Sequence, residues 1–101
     1  MAQTLIWSHE ALDDIEQIAD YISKDSVYHA AQVTERILAL GESLPEQPKL
    51  GRIVPELNNP NVRERFVYSY RLIYELAGET IHILAVIHGK RLLESLERFT
   101  P

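Results

Sequence analysis

The sequence predicts an α+β domain in which an antiparallel helical hairpin packs on one face of an antiparallel sheet, in the order β-αα-βββ. Three observations predict it. Apolar residues recur at helical spacing through most of residues 9–44, they occupy every second position through residues 70–76 and again through 81–87, and a proline-rich stretch separates the two regions. With 101 residues, the chain is expected to form a single domain, residues 1–101, around one core.

Gln3 to Trp7 reads as a short first strand with Leu5 and Trp7 on one face. Ser8 follows as an N-cap hydroxyl. Ala11, Leu12, Ile15, Ile18, Ala19 and Ile22 then step at helical spacing, with Glu10, Asp13, Asp14, Glu16 and Asp20 mostly on the opposite side. Lys24-Asp25-Ser26 interrupts the pattern, and Asp25 or Ser26 caps a second helix carrying Ala30, Val33, Ile37, Leu40 and Leu44. So short a break between amphipathic helices predicts a hairpin. Pro45 and Pro48 end it. Residues 45–61 hold four of the five prolines and read as a loop, with room for a short edge strand within Arg52–Leu57. After the sheet, Leu92, Leu93, Leu96 and Phe99 predict a short C-terminal helical segment.

Residues 62–91 carry the main pattern. Tyr70, Leu72, Tyr74 and Leu76 alternate, as do Ile81, Ile83, Ala85 and Ile87. Gly78-Glu79 between them suits a two-residue type II′ turn, whose first residue needs positive φ. That turn pairs Ala77 with Thr80, Leu76 with Ile81, Tyr74 with Ile83 and Leu72 with Ala85, so all these apolar residues share one face. The other face then holds Arg71, with His88 diagonal to it. A three-residue loop at Val67-Tyr68-Ser69 would place Phe66 opposite Tyr70 and bring Arg63 and Arg65 onto the face of Arg71. A two-residue loop would turn both arginines toward the core, where unpaired charge is costly. The expected result is one sheet face bearing Arg63, Arg65, Arg71 and His88, rimmed by Lys90 and Arg91. The plainer alternative is a solvated face whose arginines pair with Glu64, Glu75 or acids of the helices, with His88 a strand-end histidine satisfied by backbone.

Net charge is −5, unevenly spread: residues 1–48 carry nine acids and two bases, residues 49–91 four acids and seven bases. A polarised surface follows, whose basic half suits phosphate or an acidic protein segment. The negative total argues against loose nucleic-acid affinity. The chain has no cysteine, and neither histidine spacing nor a carboxylate cluster suggests a metal; no cofactor is expected. His9 and His29 read as solvated helix residues, and the five tyrosines as packing. No apolar run approaches the roughly 18–20 residues of a membrane span, and MAQTLIWSHE lacks the basic and long apolar regions of a signal peptide, so a cytoplasmic location is expected.

The opening LIWSHEALDDIEQIADYI, the segment LGRIVPEL, the strand YRLIYEL and the closing ILAVIHGKRLL occur in this order. Together they resemble the RelE/ParE superfamily of bacterial type II toxin–antitoxin toxins, and the hairpin with GRIVPEL is more similar to the ParE branch. The resemblance implies a growth-arresting toxin and a cognate antitoxin that tethers the complex to operator DNA. ParE-type toxins inhibit DNA gyrase, whereas RelE-type toxins are endoribonucleases that cut messenger RNA in the ribosome without a metal. By position, Arg71 matches the arginine that RelE-type nucleases carry on the central strand, and Arg91, in GKR, their second active-site arginine. Arg63 and Arg65 fall near their paired basic residues, and Glu56 and His88 correspond to the acid and base of YoeB-like relatives. The tyrosine that follows in RelE is replaced by Glu97. The resemblance thus implies gyrase inhibition first, ribosome-dependent nuclease activity as the alternative, and an inactive member third. In each case an acidic antitoxin segment is expected over the basic face, the hairpin groove and the edge near Arg52–Leu57.

Overall fold

The computed structural model describes residues 3–91. Strand β1 (Thr4–Trp7) leads into helices α1 (His9–Ser23) and α2 (Val27–Ser43), and a single 3-10 turn over Leu44–Glu46 ends the hairpin. Strands β2 (Arg52–Ile53), β3 (Val62–Val67), β4 (Tyr70–Ala77) and β5 (Thr80–His88) follow, giving sheet order β1-β5-β4-β3-β2. The expected C-terminal helical segment lies outside the described residues. Both helix starts are capped as their sequences predict. The Ser8 and Ser26 hydroxyls accept from the amides of Ala11 and His29, each at 3.0 Å. Asp25 takes no part as a cap.

Three features of the sheet differ from the expectation. First, β1 joins β5 in parallel, pairing Leu5 with Ile81 and Trp7 with Ile83, so the sheet is mixed rather than wholly antiparallel. The chain between these two strands runs through the helical hairpin and then β2, β3 and β4, far more than the roughly dozen residues a parallel pair needs. Trp7 packs on Gly41 of α2 so closely that a Cβ at Gly41 would overlap the indole ring. Second, the β4–β5 register holds from Ala77/Thr80 to Tyr74/Ile83 but then shifts, so that Leu72 pairs with Val86 and Arg71 with Ile87. Leu84 is the extra residue of a β-bulge. Ser8 Oγ donates to its carbonyl oxygen at 3.4 Å, and Asp14 accepts from the Val86 amide at 2.9 Å. Third, β3 and β4 are joined by two residues, Tyr68-Ser69, with Val67 opposite Tyr70 and Phe66 opposite Arg71.

These shifts distribute the apolar residues over two cores. Under the helices lie Leu72, Tyr74, Ile81, Ile83, Val86 and Val67, with Ala11, Ile15, Val33, Ile37 and Leu44. On the opposite face Val54, with Leu57 packed beside it, covers Val62, Ile73, Ala85 and Ile87. Because both faces are covered, the run from Ile83 to Ile87 is apolar throughout, and period-two alternation stops discriminating there. Gly78 has φ of 62°, as the Gly-X turn requires. Tyr74 crosses between chain segments: its buried hydroxyl donates to the Pro48 carbonyl at 2.7 Å and accepts from the Gly51 amide at 3.1 Å.

Replacing Tyr74 by phenylalanine removes both bonds and leaves the Gly51 amide buried without its partner, so stability should fall by about 1–3 kcal/mol with the fold intact. Gly41→Ala should cost about 1–3 kcal/mol through overlap with Trp7. Urea denaturation with far-UV circular dichroism checks both; unchanged midpoints would mean the sites relax at no energetic cost.

Candidate functional site

The sheet face away from the helices is organised by a carboxylate. On β3 the residues alternate, so Val62, Glu64 and Phe66 share this face with Ile73 and Arg71 of β4. Glu64 pairs directly with Ile73 and sits diagonal to Arg71. Its side chain is 0% exposed. A carboxylate so placed must be paired, and it is paired twice. Arg71 Nε donates to Glu64 Oε1 at 2.6 Å, and Arg52, opposite Glu64 on β2, donates Nε to Oε2. The outer rim of Arg71 is taken by Glu56, from the loop after β2. Nη1 and Nη2 donate to its two carboxylate oxygens at 2.8 and 3.0 Å, a bidentate fork.

The result is a neutral chain of charges, Arg52–Glu64–Arg71–Glu56. Exposure rises outward, from 0% at Glu64 and 5% at Arg71 to 29% at Glu56 and 61% at Arg52. The Arg71 guanidinium holds the Glu56 carboxyl below its usual range, against the opposing effect of burial. In return the Glu56 carboxylate pushes the Arg71 pKa up. Arg52 also lies over the Phe66 ring, 5.4 Å from its centroid.

The other residues expected on this face lie elsewhere. With the two-residue turn, Arg63 pairs with Tyr74 and Arg65 with Leu72, which turns both toward the helix side. The expected penalty for arginine in the core is reduced, because β3 lies near the sheet edge and both remain half-buried, although Arg63 Nε is buried without a hydrogen-bond partner. Arg63 Nη1 donates to the carbonyls of Gly51 and Lys49 at 3.0 and 3.3 Å, fastening the loop before β2. Arg65 lines an open cavity beside Arg36 and Tyr68. His88 pairs with Tyr70, ring edge to ring face at 5.9 Å, and belongs to the helix side beyond the bulge. It shares a cavity of about 310 Å³ with Asp14, Tyr21 and Arg91. Lys90 is exposed, its amide donating to His88 Nδ1 at 3.3 Å. The structure therefore brings Arg71 to Glu56, and His88 to Arg91, but not the two pairs to one face. His82 pairs with Glu75 across the strands. Among the described residues no three histidine, cysteine, aspartate or glutamate side chains group as metal ligands, and no helix is long and apolar enough to cross a membrane.

Glu64 enters the sequence reading only as one possible partner of the arginines. Its seven-residue distance from Arg71 is the available signal, since a two-residue turn at Tyr68-Ser69 sets the two on adjacent strands and one face. Arg52 and Arg36 carry no sequence signal of their own.

The family model described as the ParE toxin of the type II toxin–antitoxin system parDE matches residues 5–93. The toxin RelE2 of Caulobacter vibrioides is 33% identical over 93 residues, covering 91% of this chain and all of that protein. Among solved structures, the chromosomal ParDE system of P. aeruginosa superposes with a TM-score of 0.73 at 21% identity, over 86% of this chain and 96% of that one. A mutant of the E. coli toxin RelE in the free state gives 0.63 at 19% identity, over 89% and 86%. At these identities the structural matches establish the fold.

Removing one member of a buried charge chain strands the others. Arg71→Met should destabilise by about 3–5 kcal/mol, and adding Glu64→Gln should restore part of the loss. Glu56, with a depressed folded pKa, contributes stability that is present above its ordinary pKa and lost as pH falls through the folded value. Denaturation midpoints of wild type and Glu56→Gln should therefore differ near neutrality and converge at acid pH. A constant gap would remove the Arg71–Glu56 contact as its source.

Proposed function

Because the chain belongs to the ParE toxin family of type II toxin–antitoxin systems, we propose that it arrests growth by binding DNA gyrase rather than by cutting RNA. The observation that carries this reading is the engagement of Arg71 by two carboxylates. A nuclease arginine must meet a phosphate as charge develops on it. Here Nε and both terminal nitrogens of Arg71 are already engaged by Glu64 and Glu56. The neighbouring strand offers that face a carboxylate and no cation, since Arg63 and Arg65 turn away. A net charge of −5 also gives little general attraction to ribosomal RNA. Under this reading the protein works in the cytoplasm, uses no cofactor, and is neutralised by a cognate antitoxin through which the complex reaches operator DNA. Solved ParDE and RelBE2 assemblies provide the analogy for such a partner.

A second reading, a metal-independent ribosome-dependent endoribonuclease, is favoured by the 33% identity to a toxin named RelE2. Glu56 or His88 would then act as base or acid, and Arg71 and Arg91 would stabilise the phosphorane. This requires Glu56 to release Arg71 when substrate binds, and His88 to act across the sheet from it.

The purified protein in stoichiometric excess should inhibit supercoiling by gyrase, while primer extension on translated messenger RNA should show no new ends. Cut transcripts with unaffected gyrase would replace the first reading by the second, and loss of Arg71 would then lower the cleavage rate on the order of 10²-fold. Normal growth on expression without an antitoxin would identify an inactive family member.

A further inference from the structure

On the side of the molecule formed by α2 and the β3–β4 turn, two cations have no carboxylate partner among the described residues. Arg36 lies over the Tyr68 ring, 5.8 Å from its centroid, and Arg65 lines the adjoining cavity of about 380 Å³. The apolar part of that cavity is Ala39, Leu40, Phe66 and Val67. A second open cavity of about 430 Å³ shares Arg36, Ala39 and Tyr68 and continues toward Gln32, with Glu35 its single acid. Phe66 and Tyr68 are 51% and 55% exposed, which is unusual for side chains so close to a core residue such as Val67. Large exposed aromatics beside arginines have the composition of an interface anchor.

The backbone at Tyr68 adds an independent observation. Its φ is 54°, in the left-handed region that glycine and asparagine tolerate and tyrosine does not favour. A two-residue turn would fold more readily with either of those residues first. The aromatic ring is therefore held at the turn against the local backbone preference, as happens where a side chain is needed for contact. His29 of α2 meets the same ring edge to face at 6.4 Å.

We propose that this surface docks an acidic amphipathic polypeptide segment, an apolar side chain entering beside Ala39 and Leu40 and carboxylates bridging to Arg36 and Arg65. Charge complementarity selects the occupant. Arginine lying over an aromatic face keeps its in-plane N–H donors for a carboxylate fork. The same stacking covers one face of Tyr68 and, through Arg52, one of Phe66, which disfavours base stacking by nucleic acid. The inference rests on the toxin reading in one respect, that a protein partner exists, and it relocates the acidic-segment contact from buried Arg71 to Arg36 and Arg65.

The test uses the full chain and a fluorescein-labelled synthetic amphipathic Glu/Leu peptide of about four helical turns. The controls are a Lys/Leu peptide of the same pattern and a single-stranded oligonucleotide, with binding read by anisotropy. The Glu/Leu peptide should bind, and the Lys/Leu peptide and the oligonucleotide should not. Arg36→Gln/Arg65→Gln should weaken binding about tenfold or more, with unchanged circular dichroism. Tyr68→Asn should also weaken binding while maintaining or raising the melting temperature, an outcome a purely structural tyrosine would not give. Absent binding of the Glu/Leu peptide, equal binding by the variants, or preference for the oligonucleotide would overturn the proposal. None of these outcomes depends on whether gyrase is inhibited.

Discussion

The closed side chain of Glu64 imposes the constraint on which one half of the molecule depends. A carboxylate with no solvent contact is tolerated only with excellent partners, and two guanidiniums supply them. Those partners come from β2 and β4, on either side of β3, so satisfying one charge also fixes the order and register of three strands. A slip of one residue on β3 would turn Glu64 into the helix-side core and bring Arg63 or Arg65 beside Arg71. The loop after β2 is held by the same chain of charges, through Glu56, and by Val54, which closes the second core.

Local signals were legible where local chemistry decides. The Ser8 and Ser26 caps, the helical spacing and the Gly78-Glu79 turn are read from a few adjacent residues, and the structure contains them. The pairing close to that turn is also as expected, because the turn sets it. Legibility ends at Ile83, where five successive apolar residues carry no alternation and the bulge changes the face. The β3–β4 turn failed for a different reason. Tyr68 is a poor residue for positive φ, and two arginines on the helix side carry a desolvation cost. Neither penalty decides the outcome: the sheet edge leaves both arginines half in solvent, and the buried Val67 and Glu64 depend on the shorter turn.

The candidate site inherits both errors. A single basic face needed the three-residue loop and an unbroken β4–β5 register, and each correction removes residues from it. What takes its place is an internal ion-pair chain on one side and, on the other, an open cavity holding His88 with Arg91 and an adjoining pair around Arg36, one of them reached by Arg65. Matching residues by position along a related chain transfers identities more safely than it transfers faces, since one residue of loop length is enough to reverse a strand.

The parallel pairing of β1 with β5 also governs how the chain assembles. Thr4 finds its partner at Thr80, and Ser8 reaches Leu84 across a separation of 76 residues. Every contact that holds β1 in the sheet therefore waits for the last strand. On a translating ribosome the hairpin and β2–β4 can collapse first, while the backbone of β1 has no strand to pair with and Trp7 has only its contact with Gly41 of α2 to hold it. Closure at that edge pays a loop entropy that the antiparallel turns avoid, making it the late, high-contact-order event of folding. The nascent protein thus passes through a stage in which its amino-terminal strand is free to pair with another chain before it pairs with its own.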